Sequence, residues 1–130
     1  MADHPNATLV RQWFAALGSN DIKAATALMS ADAGWHNSGR GRFAGDFEGR
    51  EAVFDYLGRF GSAVDSITDD LQFVLADDER AVALNNSILT RGDEMLNQSN
   101  LFVFDVSGGQ ITDVRLSFMH QYENDEFFPA

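Results

Sequence analysis

The spacing of apolar residues predicts three helices in the first half of the chain. Apolar positions recur at every third or fourth residue after Pro5, which favours a first helical turn, and the pattern stops at Gly18. A second, shorter helix begins near Asp21, whose carboxylate can cap its first turn. The third covers about residues 50–60. Its predicted buried positions are Val53, Phe54, Leu57 and Phe60.

After the third helix, apolar residues alternate with polar ones, which indicates strands. Four long strands are predicted at residues 67–75, 80–90, 94–106 and 110–120, and a short one at 33–37 precedes a glycine-rich loop over 38–49. The Asp and Gly pairs between the long strands suit tight hairpin turns, and hairpins imply antiparallel pairing. The order helix, helix, strand, helix and four strands predicts an α+β fold, with three helices on one face of a curved antiparallel sheet.

Length, composition and charge narrow the function classes. The chain has 130 residues, 45% of them hydrophobic, which fits one domain over residues 1–130. Nine basic against twenty acidic residues give a net charge of −11, which disfavours binding to nucleic acid or to a membrane. The sequence has no cysteine, no apolar span and no signal-like N-terminal pattern, so we expect a cytoplasmic protein. Its three His residues lack metal-ligand spacing, and we expect neither a metal nor a cofactor.

Several stretches resemble the SnoaL-like branch of the NTF2-like superfamily, which includes ketosteroid isomerases, polyketide cyclases and limonene-epoxide hydrolases. They are W-F-A-A-L-G-S-N-D at 13–21, W-H-N-S-G-R at 35–40, F-A-G-D-F-E-G-R-E-A-V at 43–53, I-T-D-V-R at 111–115 and H-Q-Y-E-N-D-E-F-F at 120–128. The resemblance implies an NTF2-like cone, in which the sheet curls around the helices and leaves an apolar pocket open at one end. It also implies a homodimer that forms through the outer face of the sheet.

The residues that ketosteroid isomerases of this superfamily use are replaced in this chain. The resemblance aligns Trp13 with the family's Tyr, Asn37 with its proton-accepting Asp, and Asn100 with its second Asp. An Asn cannot accept a proton near neutral pH, so the usual isomerase route is not expected. The acid relay of the epoxide hydrolases is missing as well, because its Arg and one Asp map to Asn85 and Ser87.

His120 is the predicted acid–base group. Polyketide cyclases of this branch use one Asp near the end of the last strand, where this chain has His120. The ordinary pKa of His, about 6.5, suits proton transfer near neutral pH. On a strand, His120 shares its face with Leu116 and Phe118, so it either lines the pocket or is a polar residue that ends the strand. If it is catalytic, His120→Ala should abolish activity without unfolding the protein.

The other candidate site residues are amides and aromatic side chains. Asn37, Asn85 and Asn100 are predicted to form a polar spot that binds a carbonyl or hydroxyl oxygen, unless Asn85 and Asn100 face solvent or a dimer partner. Asn37 shares a strand face with Trp35, so His36 should point away and hydrogen-bond the backbone near the loop, although a substrate-binding role for it stays open. The predicted apolar wall, whose members also suit plain core positions, is Trp13, Trp35, Phe54 and Phe102.

These residues favour a cofactor-independent acid–base enzyme that acts on a small hydrophobic oxygenated molecule by cyclisation, isomerisation, dehydration or epoxide opening. The alternative is a non-catalytic small-molecule-binding or scaffold protein, because the familiar catalytic carboxylates are missing. Turnover of a bound molecule separates the two. Outside the site, the acidic pairs at 69–70 and 77–78 are predicted to lie in solvated turns, and Phe127 and Phe128 to fold back over the sheet or the pocket.

Overall fold

Four helices are present in residues 3–130, the part of the chain that this computed structural model describes. They are α1 (Pro5–Gly18), α2 (Ile22–Ala27), α3 (Arg50–Ser62) and α4 (Gln121–Phe127). Asp21 caps α2 as predicted, since its carboxylate accepts a hydrogen bond from the backbone N–H of Ala24 at 3.0 Å. None of these described helices has the length and apolar character needed to cross a membrane.

The described residues also contain six strands, which form one sheet. They are β1 (Met29–Asn37), β2 (Gly45–Glu48), β3 (Ser66–Ala76), β4 (Arg80–Arg91), β5 (Glu94–Ser107) and β6 (Gln110–Phe118). Their spatial order is β2-β1-β6-β5-β4-β3. Strands β3 to β6 pair antiparallel in sequence order, as the alternating pattern and the turn residues predicted. Strand β1 runs parallel to β6, and β2 pairs antiparallel with β1 at the edge.

Four details of the predicted element order were wrong. The described chain has a fourth helix, α4, whose seven mostly polar residues are too few to show a helical apolar period. The glycine-rich loop contains the short strand β2, which begins at Gly45 and is followed by Gly49, two residues with positive φ. The sheet is mixed and not purely antiparallel, because β1 joins a strand from the far end of the chain. Finally, β6 ends at Phe118 because the chain turns there into α4.

The main core lies between the inner face of the sheet and helices α1 and α3. Trp13 of α1 is fully buried at its centre. Its ring centroid lies 5.6 Å from that of Trp35 on β1 and 5.5 Å from that of Phe104 on β5. The buried residues of α3 are Val53, Tyr56 and Leu57. The helices and the sheet are therefore held together by a continuous aromatic cluster.

A smaller apolar cluster lies beside α4. It consists of Leu89, Leu96, Phe127 and Phe128, with Phe43 and Phe60 packed against it. The two C-terminal Phe side chains thus fold back onto β4 and β5, as the sequence predicted. Helix α4 is also tied to the loop between β1 and β2, because Asp125 Oδ1 accepts hydrogen bonds from the backbone N–H groups of Arg40 and Gly41 at 3.0 and 3.1 Å.

Candidate functional site

A cavity of about 930 Å³ lies between the helices and the inner face of the sheet, and it opens to solvent. Its walls come from α1, α3 and strands β1 and β3 to β6. Its aromatic lining residues, which we call the aromatic side, are mainly Trp13, Trp35, Tyr56, Phe60, Phe102 and Phe118. Its polar lining residues, the polar side, include Asp69, Asn85, Ser87, Gln98 and Asn100. A ligand in this space would meet both apolar contact surface and hydrogen-bonding groups.

Four of the polar side chains are joined by hydrogen bonds in a row across β3, β4 and β5. We call this set the polar row; its members are Asp69, Asn85, Ser87 and Asn100. Asn85 Nδ2 donates to Asp69 Oδ1 at 3.1 Å, and Asn100 Nδ2 donates to Asn85 Oδ1 and to Ser87 Oγ, both at 2.8 Å. The strand register produces this row, because Asp69 pairs with Ser87 and Asn85 pairs with Asn100. The side chains of these residues therefore meet on the inner face of the sheet.

Two buried polar atoms of the lining residues have no hydrogen-bond partner among the described residues. They are Trp13 Nε1, a donor, and Asn100 Oδ1, an acceptor. Both residues line the cavity, while the two atoms themselves are buried. An unpaired buried group of this kind costs about 1–3 kcal/mol. A ligand that offers complementary oxygen or hydroxyl groups would recover part of this cost.

Asp69 is the carboxylate of the polar row. Asp69 is exposed to solvent, yet the protein around it partly desolvates the carboxyl group and raises its pKa above the ordinary value; the hydrogen bond from Asn85 opposes the rise. Among the described residues, no Lys, Arg or His lines the cavity, so Asp69 has no cationic partner there. A carboxyl group with a raised pKa on a cavity wall is suited to proton transfer. Residues 3–130 contain no group of three His, Cys, Asp or Glu side chains placed to hold a metal ion.

Tyr56 contributes a neutral hydroxyl to the aromatic side. Its ring stacks on that of Phe47 with a centroid separation of 4.5 Å and lies 5.6 Å from that of Trp35. Burial raises the pKa of the Tyr56 phenol to about 12, although contacts with neighbouring polar groups, chiefly Asn37, partly offset the rise. The phenol therefore stays protonated at physiological pH. It hydrogen-bonds its neighbours Asn37 and Trp35 and cannot serve as an anionic base.

The structure brings five of the nine predicted site residues to the cavity: Trp13, Trp35, Asn85, Asn100 and Phe102. Asn85 and Asn100 face the cavity and not solvent. Asn37 lies behind Trp35, where its Oδ1 accepts a hydrogen bond from Trp35 Nε1 at 2.7 Å and its Nδ2 donates to the backbone oxygen of Phe43 at 2.9 Å. Both ends of this amide are occupied, so Asn37 holds the Trp35 ring in place.

His36 lies on the opposite face of β1 from Trp35, as the strand alternation predicted. The predicted backbone hydrogen bond was wrong, because its Nδ1 and Nε2 lie 2.7 and 2.8 Å from Oδ1 of Asp46 and of Asp113. The hydrogen bond with Asp46 raises the pKa of His36 above its ordinary value, and Asp113 raises it further, while burial acts in the opposite direction. His36 thus joins β2, β1 and β6 outside the cavity and does not contact a ligand within it.

Phe54 and His120 also lie outside the cavity. Phe54 is 46% exposed, because α3 turns Val53, Tyr56 and Leu57 towards the core instead. His120 is exposed and is the residue that precedes α4. Its predicted face was that of Leu116 and Phe118, and both of these residues do line the cavity. His120 does not join them because β6 ends at Phe118.

The prediction for Asp69 was wrong, because Asp69 and Asp70 lie within β3 and not in a solvated turn. Strand alternation turns Asp69 to the inner face. Ile67, two residues before Asp69, lines the same cavity. An apolar residue at this i, i+2 spacing was the sequence feature that could have indicated the inward orientation of Asp69. The sequence reasoning also missed Gln98, whose Oε1 accepts a hydrogen bond from Asn124 Nδ2 of α4 at 3.0 Å. No local pattern points to that contact, because it joins residues 26 positions apart.

Comparison with solved structures reports the same fold. Bal32a, from a soil-derived mobile gene cassette, is 36% identical, with a TM-score of 0.90 over 95% of this chain and 96% of its own. An LEH-like epoxide hydrolase of M. tuberculosis is 20% identical, with a TM-score of 0.77 over 95% of this chain and 89% of its own. TerC, co-crystallized with polyporic acid, is 13% identical, with a TM-score of 0.84 over 95% and 98% of the two chains. The last two likenesses concern the fold alone.

No curated protein matches the chain. A family model does: the one described as the SnoaL-like domain matches residues 10–114, which include α2, α3 and the first five strands. The fold expected from the resemblance is therefore confirmed. This chain belongs to the SnoaL-like domain family.

Proposed function

We propose that this protein is a cofactor-independent acid–base enzyme that acts on a small, largely apolar, oxygenated molecule, with Asp69 as the proton carrier. The observation that carries the proposal is the place of Asp69, a carboxyl group with a raised pKa on the wall of a cavity that is also lined by aromatic side chains. This role replaces the one expected of His120, which is exposed and outside the cavity.

The chemistry assigned to Asp69 follows from its surroundings. One carboxylate oxygen accepts the hydrogen bond from Asn85, and Asn85 is the one described side chain that hydrogen-bonds this group. The second oxygen is left to take a proton from a substrate carbon or hydroxyl group and to return it at another position. Because partial desolvation raises the pKa of Asp69, its carboxylate is a stronger base than an Asp with the ordinary pKa. General acid–base transfer of this kind typically contributes about 100- to 10,000-fold in rate.

The aromatic side and Trp13 Nε1 would hold the substrate. Trp13 is a neutral donor without a described partner, and a carbonyl or epoxide oxygen is the acceptor that would satisfy it. Such a bond polarises the substrate oxygen while Asp69 moves the proton. Two members of the same fold carry names that agree with small-molecule binding, the LEH-like epoxide hydrolase and TerC with polyporic acid.

Dimerisation through the outer face of the sheet is a second part of the proposal. Leu84 on β4 pairs with Leu101 on β5, and both side chains point away from the cavity. Leu101 is exposed, and Leu84 and Ile88, which flank Asn86 on this face of β4, are half-buried. Covering this apolar face would exclude it from water. Sedimentation equilibrium should give twice the mass of the 14.3 kDa chain, and Leu101→Lys should give the single mass.

A ligand screen followed by turnover tests the enzyme proposal. Both Trp residues of the chain line the cavity, so binding of aryl ketones or cyclic epoxides should quench the intrinsic fluorescence. Products of each binding compound are then sought by chromatography. Asp69→Asn should lower kcat at least 100-fold, whereas Asp70→Asn, on the opposite face of β3, and His120→Ala should leave it unchanged. Full activity in Asp69→Asn would refute the role of Asp69. Ligands that bind and are returned unchanged would favour the binding-protein alternative.

A further inference from the structure

The hydrogen bonds of the polar row run in one direction: Asn100 donates to Asn85, and Asn85 donates to Asp69. Asp69 determines this direction. An ionised carboxylate only accepts hydrogen bonds, so Asn85 must present its Nδ2 to Asp69. Asn85 Oδ1 then faces Asn100 and accepts from Asn100 Nδ2. The atom of Asn100 that remains is Oδ1, which is the buried atom without a described partner. The free atom next to the cavity is therefore a carbonyl oxygen and not an amide nitrogen.

Ser87 does not impose this direction. It accepts from Asn100 Nδ2, but a hydroxyl group serves equally well as donor or acceptor and would follow a reversal of the row. The carboxylate also polarises the two amides in sequence, which makes each carbonyl oxygen along the row a stronger acceptor. The negative charge of Asp69 thus acts at a distance on Asn100 Oδ1.

We propose that Asp69 and Asn85 are positioning residues that make the cavity select ligands carrying a hydroxyl group on an apolar ring, with the hydroxyl donating to Asn100 Oδ1. This inference rests on the proposed function and narrows its substrate class. Asn100 lines the cavity while its Oδ1 is buried, so the hydroxyl group of the ligand reaches this oxygen when the Asn100 side chain turns it towards the cavity.

The inference predicts that removing the charge of Asp69 changes ligand preference without changing the shape of the cavity. In Asp69→Asn, the new amide can donate to Asn85 Oδ1, which lets Asn85 donate to Asn100 and turns Asn100 Nδ2 towards the ligand. The row then has no preferred direction, and the free group is no longer a dedicated acceptor. Asp70→Asn is the matched control, since Asp70 makes its side-chain contact with Gln72, away from the row.

The test compares 2-naphthol with 2-methoxynaphthalene, two ligands of the same ring shape of which only the first carries a hydroxyl donor. Dissociation constants are measured by calorimetry at pH 8, where free Asp carboxyl groups are ionised and both ligands are neutral. The unsubstituted protein should bind 2-naphthol about 5-fold more tightly, the value of one neutral hydrogen bond. The ratio of the dissociation constant of 2-methoxynaphthalene to that of 2-naphthol should fall towards 1 in Asp69→Asn and stay near 5 in Asp70→Asn. The side-chain amide signals of Asn85 and Asn100 should move in the NMR spectrum of Asp69→Asn only.

Each other outcome has a distinct meaning. Equal binding of the two ligands by the unsubstituted protein overturns the hydroxyl selectivity but leaves the ligand-binding cavity intact. A ratio that survives in Asp69→Asn overturns the positioning role of Asp69. Failure of both naphthalenes to bind, at concentrations where the ketones and epoxides of the previous screen do bind, overturns the inference alone. Failure of every compound in both experiments overturns the proposed function with it.

Discussion

Replacing Phe128 by Ala tests whether α4 and its two Phe residues are an integral part of the cavity. Phe128 is 1% exposed, and its ring centroid lies 5.3 Å from those of both Phe43 and Phe60. Phe60 lines the cavity, so the substituted ring supports the cavity wall from behind. The substitution leaves a void that the surrounding rings fill only in part.

The expected loss follows from the burial of the ring. A fully buried Phe replaced by Ala costs about 3–5 kcal/mol in free energy of unfolding. With an unfolding entropy of about 2.1 cal/mol/K per residue, a chain of this length should lose about 15 °C in Tm for a 4 kcal/mol effect. A milder substitution, Phe128→Leu, keeps most of the volume and should cost about 1–1.5 kcal/mol. Phe128→Leu replaces Phe128→Ala in the measurement if the Ala variant does not fold.

Tyr122→Ala provides the matched control, because Tyr122 is an aromatic residue of α4, the helix that Phe128 directly follows, and is 85% exposed. Its removal should change the free energy of unfolding by less than about 0.5 kcal/mol. Urea unfolding followed by circular dichroism gives both values. The reasoning is refuted if Phe128→Ala costs no more than Tyr122→Ala. Binding of 2-naphthol should also weaken in the folded Phe128→Leu variant, since the ring behind Phe60 is smaller.

Further predictions concern the outer His cluster and the cavity. Asp46 and Asp113 raise the pKa of His36 above its unfolded value, so this contribution is complete below about pH 6.5 and is lost as the pH rises through the raised pKa. Urea unfolding from pH 5.5 to 9 should show a fall of about 1 kcal/mol for these half-exposed pairs, and His36→Gln should not show it. Gly34→Ala should reduce the same pH dependence, because its Cβ would lie 2.7 Å from Asp113 Oδ1. Trp13→Phe loses ring volume, which destabilises the protein, but it also removes an unpaired buried donor, which stabilises it; the free energy of unfolding should therefore change by less than about 1 kcal/mol. The affinity for 2-acetylnaphthalene, measured by calorimetry, should fall several-fold.

The parts of the fold that the sequence predicts are those with a local period. Helices α1 and α3 and strands β4 to β6 each bury one face, and their apolar residues repeat accordingly. Helix α4 has no such repeat, and contacts distant in sequence hold it, such as that between Asp125 and the backbone N–H of Gly41. The end of β6 and the position of His120 depend on that docking. This is why strand alternation alone placed His120 on the wrong element.

The polar side of the cavity shows the same limit. Asn85 and Asn100 could be named from the sequence because amides are unusual on a buried strand face. Their partner Asp69 was overlooked, because two adjacent acidic residues are more often found in turns than in a strand. On a strand, one residue of an adjacent pair faces the inner side of the sheet and the other faces outwards. The residues two positions before and after share its face, so an apolar residue there indicates which member of the pair points inwards. Tyr56 was missed for a related reason, since the buried stripe of α3 passes through Tyr56 and not through Phe54.

The parallel contact between β1 and β6 determines when this protein can finish folding. Asn37 pairs with Leu116, a residue that emerges from the ribosome 79 positions later. At about 5–20 residues per second, β1 waits several seconds before its partner is synthesised. During that time the β1–β2 hairpin has an open edge, and Trp35 has no β6 beside it. Closing so long a loop slows folding more than it weakens the folded state. The cavity is therefore complete only after nearly the whole chain has been made.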